Sequence, residues 1–253
     1  MNRRQFVSAA VGGAVAGAIG VEAAPQVKRA FDAIAFDGLV VFDPRPVAAA
    51  AEAAFAGNGA ALVAAWRTRQ FEYQWLRALG GRYADFLQTT DDALSYAVRQ
   101  LGLVLDASTR QRLMAPYTAP NVWPDVAESL ATLQRSGMRL VILSNMTHAM
   151  MADGLTRAGV ADRFDAILST DAIATYKPDP RAYRLGVDAL RVPKERLLFA
   201  AFAGWDVAGA KWFGYPTFWV NRLAAPPEEL GVAADGVGDG LGALMRFATE
   251  PGR

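Results

Sequence analysis

The sequence lacks cysteine, contains a single histidine and carries no run of like charges. Without cysteine, disulfides, thiolate catalysis and cysteine-bound metals are excluded. His148 alone cannot build a multi-histidine metal site, and any Ser-His-Asp arrangement would have to use it as the base. It lies at a predicted helix start, and we assign it no role. Lysine and arginine number 26 against 25 acids, which gives a formal net charge of +1 and no basic tract typical of nucleic-acid binding.

The N-terminal segment is expected to be a targeting signal and not part of the fold. Residues 3–7 read RRQFV, and residues 8–20 form an uncharged, Gly/Ala-rich apolar run that is too short to span a bilayer. Residues 21–23 read VEA, an end similar to A-x-A with small residues near it. This pattern is similar to a twin-arginine (Tat) signal, so residues 1–24 predict export by the Tat machinery and a periplasmic location. An uncleaved apolar anchor is the alternative.

The remaining chain predicts an α/β fold with an all-helical insertion. Residues 33–36 are a short apolar run ended by Gly38, as expected of a buried strand. Residues 47–117 have helical spacing, with one helix expected to open at Thr90 and another over 108–117. We expect this insertion to form a cap, at 46–117, over the carboxyl edge of the sheet.

After Pro124 the pattern alternates between helix and strand. Strands are expected at 140–143, 166–168, 197–200 and 217–220, and helices at 125–136, 147–158, 180–190, 207–213 and 241–247. Such alternation indicates a doubly wound, mostly parallel sheet. The core domain is therefore predicted at 31–45 and 118–223, with a tail at 224–253 that packs a last helix on the core.

Polar residues follow each predicted strand. Asp37 ends the first strand, Ser144 and Asn145 end the second, Lys177 follows the third and Asp206 the fourth. Because ligands bind beyond the carboxyl ends of parallel strands, these side chains are expected to meet at one edge. A carboxylate there can be a nucleophile.

This set resembles the haloacid dehalogenase superfamily and, within it, the type II (S)-2-haloacid dehalogenases. The similarity extends from about residue 31 to 223. Its most specific part is the cap stretch WRTRQFEYQWLR at 66–77, followed by GRYADF at 81–86. Further matches are LSN at 143–145, YKPDPRAY at 176–183, WD at 205–206 and GA at 209–210.

The resemblance implies a role for each matching residue. Asp37 is the expected nucleophile, which displaces halide from C2 and forms an ester, and Lys177 holds its carboxylate charged. Asp206 orients or activates the hydrolytic water. The halide-facing donors are Arg67 and Asn145. Ser144 contacts the substrate carboxylate and Tyr183 supports the lysine. The apolar wall is expected to consist of Phe71, Phe86 and Trp205.

The resemblance also implies the reaction and its requirements. A short (S)-2-haloacid would be hydrolysed to the (R)-2-hydroxyacid and halide by a homodimer without metal or other cofactor. Two departures concern the site. The loop after Asp37 is about one residue shorter than the family pattern, without its tyrosine and threonine. Residues 200–204 read AAFAG where a serine and an asparagine are usual.

Two other functions fit parts of the pattern. A phosphatase of the same superfamily would resemble Asp-x-Asp at the first strand and would gather acids for Mg²⁺, but Leu39 occupies the second position. A non-catalytic binding protein on the same scaffold is suggested by the lost polar groups. The retention of Asp37, Arg67, Asn145, Lys177 and Asp206 favours the enzyme.

Overall fold

A six-stranded sheet forms the centre of the computed structural model, which describes residues 30–249. The strands are β1 (Ala33–Phe36), β2 (Arg139–Ser144), β3 (Ala166–Ser169), β4 (Leu197–Ala201), β5 (Thr217–Val220) and β6 (Gly236–Gly238). Their spatial order is β3-β2-β1-β4-β5-β6, and every pairing is parallel. The predicted fold class, a doubly wound parallel α/β sheet, is confirmed.

Strand β1 lies in the middle of the sheet and is buried on both faces. Phe36 is in register with Ile142 of β2 on one side and with Ala200 of β4 on the other. Because successive side chains alternate, Ile34 and Phe36 pack into the core on one face and the two alanines into the core on the other. The continuous apolar run of this strand is explained by that double burial.

Ten α-helices flank or cap the sheet within residues 30–249. They are α1 (Gly38–Val41), α2 (Arg45–Ala54), α3 (Gly59–Leu79), α4 (Phe86–Gln100), α5 (Ala107–Thr118), α6 (Val126–Arg135), α7 (His148–Arg157), α8 (Pro180–Leu190), α9 (Gly204–Phe213) and α10 (Leu241–Thr249). Helices α6, α7 and α10 contribute to the core on one face, and α8 and α9 contribute to the other.

Helices α2 to α5 form the inserted cap and have a small core of their own. Its fully buried members include Leu62, Leu94 and Leu113. Several hydrogen bonds attach this cap to the sheet domain. Among them, the Trp75 indole donates to the Lys177 carbonyl at 3.2 Å, and the Tyr176 hydroxyl donates to a cap carbonyl at 2.6 Å. The cap therefore lies against the loop that carries Lys177.

The expectation that a cap helix begins at Thr90 is wrong. Helix α4 begins at Phe86, because the Asp85 carboxylate accepts a hydrogen bond from the Gln88 backbone N–H at 2.8 Å and caps the helix one turn earlier. Thr90 is interior to the helix and buried. The two acids at 91 and 92 form ion pairs with arginines of neighbouring helices instead of occupying the first turn.

The segment after residue 223 completes the core. Strand β6 was not expected from the sequence, since its two glycines disguise it, yet it extends the sheet beside β5. Helix α10 buries Leu241 and Leu244. No helix between residues 30 and 249 is long and apolar enough to cross a membrane. The predicted signal at 1–24 lies outside the described residues.

Candidate active site

Asp37 lies at the carboxyl end of β1, in the centre of the sheet edge. One carboxylate oxygen accepts a hydrogen bond from the Leu39 backbone N–H at 3.0 Å, because Asp37 caps the short helix α1. The other oxygen accepts from the Lys177 ammonium at 2.6 Å. The side chain keeps 13% exposure, so it is fixed in orientation and still reachable by a ligand.

Lys177 is buried beneath this carboxylate. Its ammonium lies 2.6 Å from Asp37 and 2.6 Å from Asp206, and its side chain is 1% exposed. Burial is the largest influence on the pKa of Lys177 and would lower it, but the two carboxylates together outweigh burial and raise the pKa. The lysine therefore carries its charge at neutral pH.

Asp206 is fully buried on the far side of the lysine. Burial raises its pKa to about 6, against the opposing attraction of Lys177. The Tyr183 hydroxyl donates to the second Asp206 oxygen at 2.7 Å. Burial and the neighbouring Asp206 charge raise the pKa of Tyr183, so it remains a neutral donor. One ammonium shared by two carboxylates leaves this cluster with excess negative charge, which suits a nucleophilic carboxylate.

Ser144 ends β2, Asn145 follows it, and both are buried beside Asp37. The Ser144 hydroxyl accepts from the Met146 backbone N–H at 3.1 Å and keeps its own hydrogen for a ligand. A methyl group at Gly38 would lie 2.4 Å from that hydroxyl oxygen. The glycine therefore permits the shortened loop to approach β2 closely.

A cavity of about 280 Å³ opens above Asp37 between the cap and the sheet domain. Arg67 and Phe71, one turn apart on α3, form its roof, with the guanidinium carbon 5.7 Å from the ring centroid. Phe71 also packs edge-on against Trp205 at 5.3 Å between centroids. No hydrogen bond or ion pair links the Arg67 guanidinium to another residue within 30–249, which leaves it free to bind an anionic ligand.

The structure brings all ten predicted site residues together. Those that line the cavity are Asp37, Arg67, Phe71, Phe86, Ser144, Asn145 and Trp205. Lys177, Tyr183 and Asp206 lie beneath Asp37 in the hydrogen-bonded cluster. The placement agrees with the expectation, and the catalytic role of each residue stays a prediction.

Several contributors were missed from the sequence. The Leu39 backbone N–H supplies a hydrogen bond to Asp37, although the threonine of the family pattern is missing from this loop. Gln70 and Gln74 are buried polar residues in the cavity wall. A signal for them existed, since Arg67, Phe71 and Gln74 recur at i, i+4 and i+7 and so share one helix face.

Two residues of the stretch 200–204 line the cavity. They are Phe202 and Ala203, which follow β4. Their side chains are apolar and offer water in the cavity no side-chain hydrogen bond. Within residues 30–249, no group of three or more His, Asp or Glu side chains is arranged to hold a metal ion.

An acidic side chain at the end of the central strand, a buried lysine beneath it and a helical cap above it define a class of hydrolase. The model of the haloacid dehalogenase-like hydrolases matches residues 19–214. The chain belongs to this family.

Named relatives and solved structures narrow the similarity. The chain is 40% identical over 222 residues to the (S)-2-haloacid dehalogenase of Pseudomonas sp. (strain YL), which covers 87% of this chain and 96% of the relative. A crystal structure of an L-2-haloacid dehalogenase has a TM-score of 0.84 and 39% identity, covering 87% and 99% of the two chains. The Xanthobacter autotrophicus L-2-haloacid dehalogenase with covalently bound chloropropionic acid has a TM-score of 0.77 and 36% identity, covering 86% and 98%.

Proposed function

We propose that this protein hydrolyses short (S)-2-haloacids to (R)-2-hydroxyacids and halide through an ester on Asp37. The observation that carries the proposal is the Asp37 carboxylate, which is held 2.6 Å from Lys177 at the floor of a largely apolar cavity roofed by Arg67. The relatives named above are dehalogenases, and one of them is known with chloropropionic acid covalently bound.

The first step is displacement at the carbon that bears the halogen. A carboxylate oxygen of Asp37 forms a bond to C2, while the carbon–halogen bond breaks and its electron pair leaves with the halide. Lys177 and the Leu39 N–H hold the carboxylate in one orientation, which lowers the entropic cost of attack. Attack from the side opposite the halogen inverts C2 and accounts for the change from (S) to (R).

The departing halide needs donors that suit a diffuse anion. Arg67 is always charged and its guanidinium is weakly hydrated, so it is assigned this role together with the Asn145 amide. Ser144 is assigned to the substrate carboxylate. Phe71, Phe86 and Trp205 exclude bulk water and so strengthen the electrostatic interactions in the cavity.

The second step is hydrolysis of the ester. Water adds to the carbonyl carbon of Asp37 and gives a proton to the Asp206–Lys177 cluster. The bond between that carbon and the oxygen attached to C2 then breaks. The hydroxyacid leaves with this oxygen, which takes up a proton from the cluster. Asp206, with a pKa raised to about 6, is a stronger base than an ordinary aspartate and is the assigned acceptor.

Halide release tests the proposal. The protein without residues 1–24 is offered (S)- and (R)-2-chloropropionate in the presence of a chelator, with Asp37→Asn alongside. Chloride from the (S) form alone, abolished by the substitution, is the expected result. Because Ala201 and Ala203 stand in a stretch where the family pattern has a serine and an asparagine, a binding protein on the same scaffold is the second candidate. Saturable binding of the acid without chloride release would favour it.

We also propose that the protein is exported to the periplasm by the Tat machinery. The proposal rests on the twin arginines at positions 3 and 4 and on the apolar run that follows them. Residues 1–24 fused to a folded reporter are expected to direct it to the periplasm. Replacing both arginines with lysine is expected to abolish export, and undiminished export by that variant would contradict the proposal.

A homodimer is proposed as the working assembly. The proposal rests on the family resemblance and on an exposed apolar pair. Leu76 and Leu79, one turn apart at the end of α3, are 64% and 88% exposed, and a second copy of the chain could cover them. Light scattering during size-exclusion chromatography is expected to give twice the monomer mass. Leu79→Glu is expected to shift it toward the monomer, and an unaltered mass would exclude this part of α3 from the interface.

A further inference from the structure

We propose that Gln74 is a halide-binding residue, whose side-chain N–H donates to the departing halide beside Arg67. The inference rests on the proposed dehalogenase function and deepens it. It adds a cap residue to the anion site, for which the family resemblance implies only Arg67 and Asn145.

The orientation of Asn145 is fixed by its neighbours. Its side-chain oxygen accepts from the Lys177 backbone N–H at 2.9 Å and from the Thr170 hydroxyl at 3.3 Å. A backbone N–H can only donate, so the amide of Asn145 cannot be reversed without losing this bond. Its nitrogen must therefore point the other way, toward α3.

That nitrogen determines the orientation of Gln74 in turn. Asn145 Nδ2 donates to Gln74 Oε1 at 3.4 Å. A reversed Gln74 would place two amide nitrogens against each other, so Gln74 Nε2 has to face away from Asn145. The Lys177 backbone N–H thus fixes the orientation of Asn145, and Asn145 fixes that of Gln74, whose nitrogen lies at the cavity wall.

Gln74 Nε2 is buried and has no hydrogen-bond partner, and the whole residue is only 1% exposed. Buried donors are almost always paired, because leaving one unpaired forfeits its hydration. Gln70, one turn earlier and also in the wall, contrasts with it, since its amide nitrogen donates to Thr90. A bound ligand would supply the acceptor that the Gln74 side-chain N–H lacks.

The surroundings identify the acceptor as a weakly hydrated anion. Arg67 and Gln74 are seven positions apart, two turns along the same face of α3, with Phe71 between them. The Trp205 indole nitrogen is a second buried donor without a partner in this wall. Aromatic ring edges carry partial positive charge and, with the guanidinium, suit a halide better than a strongly hydrated carboxylate.

Product inhibition separates a halide site from a carboxylate site. The inhibition constants of bromide and of (R)-lactate are measured against (S)-2-chloropropionate for the unmodified protein, Gln74→Leu and Gln74→Glu. Gln134→Leu, which removes an amide of α6 that already has partners and lies outside the cavity, is the matched control. Thermal unfolding of each variant checks that it folds.

Gln74→Leu is expected to weaken bromide inhibition about tenfold, the usual effect of losing one hydrogen bond to a charged group. The inhibition constant of (R)-lactate is expected to stay unchanged. Gln74→Glu keeps an oxygen for Asn145 but repels the anion, so its loss should be larger. Gln134→Leu should retain the bromide constant of the unmodified protein.

Three results would overturn the inference. They are an unchanged bromide constant in Gln74→Leu, an effect confined to (R)-lactate, and a normal bromide constant in Gln74→Glu, which would mean that Gln74 acts only by holding Asn145. An unmodified protein that releases chloride but is not inhibited by bromide would also overturn it. Absence of any chloride release would instead reject the proposed function itself, so the two failures are distinguishable.

Discussion

The Lys177 ammonium lies 2.6 Å from the carboxylate of Asp37, across 140 positions of the chain. The first residue ends the central strand β1 and the second lies in the loop before α8, so the pair exists only when the sheet has formed. The geometry of the site therefore forms only together with the core. The stability of the protein and the orientation of its proposed nucleophile therefore depend on the same contact.

Removing the Lys177 charge is expected to destabilise the protein strongly. Lys177→Gln leaves Asp206 and Asp37 close together without a cation, and an uncompensated buried charge typically costs about 3–5 kcal/mol. Urea unfolding measures the loss. Lys211→Gln is the matched control, because its ion pair with Asp235 is solvent-exposed and such pairs contribute only about 0–1 kcal/mol. Equal losses in the two variants would contradict the assignment.

The pH dependence of turnover is expected to follow Asp206. Its folded pKa of about 6 lies above the ordinary 3.8. Protonation therefore favours the folded state, and this contribution to the free energy of unfolding is lost as pH rises through that interval. Turnover needs the carboxylate and should increase through pH values near 6. This apparent pKa belongs to the whole coupled cluster.

A substitution identifies the group whose titration causes the fall in kcat at acid pH. Asp206→Asn is expected to retain only slight activity, and that activity should no longer change near pH 6. Profiles of kcat against pH for the two proteins provide the comparison. If kcat of Asp206→Asn still changed near pH 6 as it does in the unmodified protein, another group would titrate there.

Gly209 is expected to be intolerant of even one methyl group. An added Cβ would lie 2.2 Å from the Tyr183 hydroxyl oxygen and 2.7 Å from Pro178. Since that hydroxyl donates to Asp206, Gly209→Ala should lower kcat as well as stability, the latter by about 1–3 kcal/mol. Gly242→Ala, on α10 with its nearest neighbour at 3.8 Å, is the control and should be neutral or stabilising. An unchanged kcat in Gly209→Ala would show that the position of the Tyr183 hydroxyl does not affect catalysis.

Ester hydrolysis is expected to be the slow step, because Phe202 and Ala203 offer water no polar contact. Rapid mixing should then show a burst of halide equal to the active sites, followed by slower release. Ala203→Asn restores one hydrogen bond, worth about 1 kcal/mol, and should speed the slow phase about fivefold. Ala48→Ser, in the cap part of the cavity, should leave both phases unchanged. Absence of a burst would place the slow step before ester formation.

The sheet and the site edge could be predicted from the sequence because both depend on local signals. The apolar run at 33–36 matches β1 residue for residue, and the strand at 217–220 matches β5. Polar residues directly after strands could be assigned to one edge because parallel strands place their carboxyl ends together. Where the chain resembles a family, its motifs added the cap residues Arg67, Phe71 and Phe86.

The remaining features depend on contacts that sequence patterns do not encode. Asp85 and Thr90 are both acceptable helix caps, and only the structure shows that Asp85 begins α4. The Leu39 N–H bond to Asp37 arises from the backbone path of α1, to which the side-chain identity of Leu39 gives no clue. Gln74 stood within a matched stretch, but its unpaired donor becomes visible only when the cap lies on Asn145.

The most direct test of the Asp37 ester is a single turnover in isotopically labelled water with protein in excess over (S)-2-chloropropionate. If water attacks the ester carbonyl, the label enters the Asp37 carboxyl group, and the hydroxyl oxygen of the product comes from the unlabelled protein. Mass spectrometry of the peptide that contains Asp37 and of the product reads both outcomes. Label in the peptide and unlabelled (R)-lactate are expected. Labelled lactate in the first turnover would mean that water attacks C2 directly, which would contradict the proposed mechanism.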